Sequence, residues 1–63
     1  MTPGTVFEHR HWLDAKNMPL LCRVTAVRRG VVYWRAWTPE GVEGHPYSFA
    51  LEEAPRFVRQ VLQ

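Results

Sequence analysis

Residues 20–38 read LLCRVTAVRRGVVYWRAWT, two β-rich segments on either side of an Arg-Arg-Gly turn. Gly30 supplies the positive φ that a short hairpin loop requires, so the stretch predicts strands over 20–27 and 31–38 bridged by Arg28, Arg29 and Gly30. Successive side chains of a strand point to opposite faces. Pairing Cys22 and Val24 with Val32, Trp34 and Ala36 therefore gives one buried face, and Arg23, Thr25, Tyr33, Arg35 and Trp37 share the other. A face that mixes cations with aromatic rings is chemistry for binding, and it sets the question for the rest of the chain.

Outward from this hairpin, Met-Thr-Pro-Gly reads as a turn leading into a first strand over 5–11, where Val6 and Phe7 favour extended backbone. Asp14, Asn17 and Pro19 make 12–19 a loop with a flexible tip. Residues 39–46 hold two Pro, two Gly and two Glu and predict an exposed loop, followed by a short fourth strand near 47–49. From 51 to 62, Leu51, Ala54, Phe57 or Val58, and Val61 or Leu62 recur at the spacing of an amphipathic helix. Glu52 and Glu53 suit its N-terminal end, and Pro55 is tolerated only in a first turn, so regular helix begins near Ala54.

With 63 residues there is room for one domain, which removes only about 60 % of the unfolded surface from water. An apolar content of 46 % is nevertheless that of a folded globule and not of a disordered tail. The single cysteine, Cys22, makes no internal disulfide, which favours a reducing, cytoplasmic setting. No signal segment and no apolar run of about 20 residues is present, so the chain reads as soluble.

The net charge of +2 is unevenly spread. Residues 9–37 hold Arg10, Lys16, Arg23, Arg28, Arg29 and Arg35 against Asp14 alone, whereas 38–53 hold Glu40, Glu43, Glu52 and Glu53 with no Lys or Arg. Seven of the eight basic residues are Arg and there is no Ile, a bias that high-GC coding explains without any role for phosphate.

The pattern Gly4-x-Val6, then Arg23-Val24-x-x-Val27-x-x-Gly30-x-Val32-Tyr33, then a Phe-containing helical tail, resembles small accessory proteins of phages and prophages. The resemblance implies a compact SH3-like barrel of bent antiparallel strands closed by a short C-terminal helix. Most such families have no assigned activity, so it assigns no functional residue.

Enzymatic chemistry finds no motif. His9 and His11 share a strand face and could meet one metal, with Cys22 and His45 as further soft ligands, but no Cys-x-x-Cys or His-Glu-x-x-His spacing accompanies them, and solvated strand histidines account for the pair. Cys22 has Arg23 beside it, yet strand neighbours face apart, which makes it an apolar filler and not a nucleophile. Glu52 and Glu53 serve as charge at a helix start. The sequence thus predicts a mainly β, SH3-like barrel of four or five strands with a short C-terminal helix, its core built from Val6, Val24, Val27, Val32 and Trp34. It predicts a non-enzymatic binding module without cofactor or metal. Arg23, Arg28, Arg29, Tyr33, Arg35 and Trp37 are the expected contacts to nucleic acid. A protein-binding adaptor or inhibitor, homodimeric through an exposed strand edge, remains open beside it.

Overall fold

A computed structural model describes residues 1–38 and 44–63. Five strands form one antiparallel sheet: β1 (Val6–Leu13), β2 (Pro19–Arg28), β3 (Val31–Ala36), β4 (Tyr47–Ala50) and β5 (Val58–Val61). Their spatial order is β4-β3-β2-β1-β5, and the sheet curls into a half-barrel with one short helical segment near its C-terminal end. The mainly β fold with a short C-terminal helix is the one the hairpin pattern predicts. No helix among the described residues is long and apolar enough to cross a membrane.

The β2–β3 hairpin is tighter than its sequence suggests. Arg28 pairs with Val31, leaving only Arg29 and Gly30 in the loop, both at positive φ (50° and 74°). That is the signature of a type I′ turn, whose twist matches the strands it joins. One irregularity interrupts the pairing: Val24 faces Trp34, Ala26 faces Tyr33, and Thr25 is the extra residue between them. The Thr25 hydroxyl donates to the Tyr33 carbonyl at 3.3 Å and ties down this bulge. The extra residue reverses the alternation, which is why Val24 and Val27 both lie on the core side although they are three residues apart.

Phe7, Cys22, Val24, Val32, Trp34 and Phe49 form the buried cluster, with Met1, Leu20, Val27, Ala54, Phe57 and Val58 packed around it. Phe7 meets Trp34 and Phe49 edge-on, and Phe49 stacks on Phe57 at 5.2 Å. Of the expected core, Val6, Val24, Val32 and Trp34 are buried and Val27 is half-buried, while Phe7 and Phe49 are the large members that alternation did not single out.

Two expectations are corrected. The segment 12–19 is not a long loop: β1 continues to Leu13, β2 starts at Pro19, and the Asp14 carboxylate accepts from the backbone N–H groups of Lys16 (2.8 Å) and Met18 (3.0 Å) to close a tight turn. Nor is 51–62 one helix. A 3₁₀ turn (Leu51–Glu53) and a single α-turn, α1 (Ala54–Phe57), give way to β5, which pairs with β1 through Phe7 and Val61, Glu8 and Gln60, and His9 and Val58. The reason is long-range: Arg10 donates to the carbonyls of Pro55 and Val58, and His11 Nε2 lies 2.8 Å from the Arg56 carbonyl. Side chains of β1 thus take the carbonyls that a longer helix would have used.

Candidate functional site

The outer face of β2 and β3 gathers part of the expected set. Arg28, Tyr33 and Arg35 line one shallow groove of about 500 Å³ together with Thr25, Ala26 and Pro46. Arg23 is the cross-strand partner of Arg35 and extends the same face. Tyr33, 39 % exposed, offers its ring between the cations. The bulge at Thr25 contributes to this grouping, because the offset it introduces sets Ala26 opposite Tyr33.

Arg29 and Trp37 are not in this groove. Arg29 borders a separate depression with Gly30, Val31, Ala50, Leu51 and Glu52. Trp37 lies beyond the end of β3, where its backbone N–H donates to Leu21 at 2.9 Å. Its side chain is half-buried and lines a third groove with Leu20, Leu21, Asp14 and Lys16. Glu40 and Glu43 of the acidic loop lie outside the described residues.

The inner face carries an aromatic cluster that alternation alone did not reveal. His9 is buried, not solvated, and its ring stacks on Trp12 at 4.6 Å with an interplanar angle of 9°. Its Nδ1 accepts two backbone hydrogen bonds, from His11 at 3.0 Å and Trp12 at 3.1 Å, so the ring proton resides on Nε2. Burial, assisted by the neighbouring His11, lowers the His9 pKa from its ordinary value. Trp12 in turn lies 5.5 Å from Trp34 and 4.8 Å from Tyr47. Two signals for this cluster were present in the sequence, the His-x-x-Trp spacing at the end of β1 and the alternation of Tyr47 with Phe49 on β4.

Nucleophilic and metal chemistry gain no support. The Cys22 thiol is fully buried and burial pushes its pKa up to about 12, which keeps it protonated. Among the described residues no three His, Cys, Asp or Glu side chains come together in a metal-binding group. The ion pairs Arg56 with Glu53 (3.3 Å) and Arg59 with Glu8 (3.9 Å) involve residues of α1 and β5. Scans against protein-family models, curated proteins and solved structures return no match for this chain.

Proposed function

We propose that this chain is a non-enzymatic module that binds nucleic acid on the outer face of the β2–β3 hairpin. The observation that supports it is the meeting of Arg28, Arg35 and Tyr33 in one open groove. Guanidinium groups suit phosphate oxygens, and an exposed ring between them provides a surface on which a base stacks, worth about 1–3 kcal/mol per base. Arg23 lengthens the cationic track, whereas Arg29 and Trp37 line other depressions. A cytoplasmic accessory protein of a phage or other mobile element fits such a module.

The test is a titration with mixed-sequence oligonucleotides at several salt concentrations, followed by tryptophan fluorescence. Each phosphate contact released contributes about 0.9 to the slope of log affinity against log salt, so Arg28→Gln should weaken binding and reduce that slope by about one. Affinity that is indifferent to salt refutes the reading. It would favour docking on a protein or on a second copy, for which the exposed Val61 (53 %) and Leu62 (44 %) at the β5 edge are the specific observation.

A further inference from the structure

The groove that holds Arg28, Tyr33 and Arg35 ends at Pro46, and the next residue, Tyr47, belongs to the opposite face. Tyr47 pairs with Trp34 across β3 and β4, stacks on it at 5.0 Å, and meets Trp12 edge-on at 4.8 Å. His45 stands a further 5.1 Å from Tyr47. Pro46 lines the outer groove, and Tyr47, the next residue, pairs with Trp34, whereas Tyr33 of the groove pairs with Ser48, so the cationic groove and this aromatic surface lie on the two sides of the same strand pair. Trp12 and Tyr47 are each 41 % exposed there.

The cluster is not a cage: its two exposed rings, Trp12 and Tyr47, stand edge to face at 73° and offer separate surfaces. Trp12, Trp34 and Tyr47 lie at centroid separations of 4.8 to 5.5 Å and so touch one another, whereas a cation held between rings needs room within about 6 Å of each centroid. Trp12 is also held in place before any ligand arrives: the near-parallel His9 ring backs it, and the two backbone hydrogen bonds to Nδ1 hold His9 itself. A ligand that lands on it orders few side chains, which lowers the cost of binding.

We propose that Trp12 and Tyr47 form a stacking platform for unpaired bases, and that the ligand is single-stranded nucleic acid whose backbone follows Arg28 and Arg35. This inference rests on the nucleic-acid reading above. A duplex keeps its bases paired and is stiff over about 150 base pairs, so it cannot turn round one strand end and present base faces to the inner side. A single strand can do both, and any base has a face with which to stack.

The experiment is fluorescence anisotropy of fluorescein-labelled dT15 and of a 15-base-pair duplex at 50 and 200 mM salt. It uses the unmodified protein, Trp12→Leu, Tyr47→Leu and Arg28→Gln, each checked for folding by circular dichroism. The expected result is dT15 bound at least tenfold tighter than the duplex. Trp12→Leu and Tyr47→Leu should each weaken dT15 binding about five- to a hundredfold with no change of salt slope, while Arg28→Gln lowers the slope. In the unmodified protein, dT15 should quench tryptophan emission at saturation, a readout that stands even if a variant fails to fold. Equal binding of duplex and dT15, unchanged affinity in the folded variants, or no quenching at saturation overturns the platform while leaving the nucleic-acid reading in place. No binding of either oligonucleotide at 50 mM salt overturns both.

Discussion

Lowering the pH from 7.5 to 5.5 should destabilise the fold through His9. The ring is buried, and its Nδ1 lone pair is committed to the N–H groups of His11 and Trp12, so the folded chain resists the second ring proton that an unfolded chain accepts freely. The folded pKa lies below the ordinary value of 6.5. The contribution is therefore present in full above that value and is lost as pH falls below it, with a slope that approaches about 1.4 kcal/mol per pH unit where only the unfolded state is protonated. Over the interval from 7.5 to 5.5 stability should fall, by at most about 1.4 kcal/mol given the ordinary pKa of the unfolded chain, and the fall belongs in urea titrations followed by tryptophan fluorescence. His9→Phe keeps a flat ring beneath Trp12 but removes the acceptor. A stranded buried N–H costs about 1–3 kcal/mol, and since His11 and Trp12 are partly open to water the pair should cost about 2 kcal/mol. For a chain of this size that lowers Tm by roughly 8–16 °C. The variant should also lose the acid sensitivity, while His11→Gln and His45→Gln should retain it. Equal wild-type stability at the two pH values, or the same acid-dependent loss in His9→Phe, would refute the reasoning.

Three further outcomes follow from the geometry. Arg29 sits at φ 50° in a turn that favours Asn or Gly, so Arg29→Asn should stabilise the hairpin by about 0.5–1 kcal/mol, read as a rise in Tm. Cys22 should not react with a thiol reagent at pH 8 while the protein is folded and should react once urea unfolds it; rapid labelling of the native chain would contradict its burial and raised pKa. Trp34→Ala should cost about 3–5 kcal/mol by urea titration, because Trp34 joins Phe7 to Tyr47 at the centre of the inner face, and native-like stability would reverse the two faces of β3.

What was legible in the sequence follows the range of the interaction concerned. Arg28, Tyr33 and Arg35 fall into one groove because the hairpin is local, set by Gly30 and by alternation along β3. The burial of Cys22, Val24, Val32 and Trp34 follows from the same register. The end of α1 was not legible, since the groups that take its carbonyls, Arg10 and His11, lie on β1 far away in sequence. A period of three to four residues also fits α1 followed by a strand as well as it fits one helix. His9 is not legible for a related reason: a histidine at an alternating position looks solvated, and only the break in β1 pairing after Glu8 and the N–H groups of His11 and Trp12 on Nδ1 show it buried. Trp37 shows the opposite limit, for alternation assumes that a strand continues, and β3 ends at Ala36.

The pairing of β1 with β5 determines when the molecule can be completed. Val6 donates to the Gln63 carbonyl at 2.9 Å and accepts from Leu62 at 2.8 Å, so the first strand finds its outer neighbour only far along the chain, in β5 and the residues after it. Closing the long loop between β1 and β5 carries an entropic cost that β2 and β3, joined by two residues, do not face. Formation of the hairpin should therefore precede capture of β5. During synthesis, β1 must wait with one edge unpaired until residues 58–63 have been made, and an interrupted chain would present that edge to other chains.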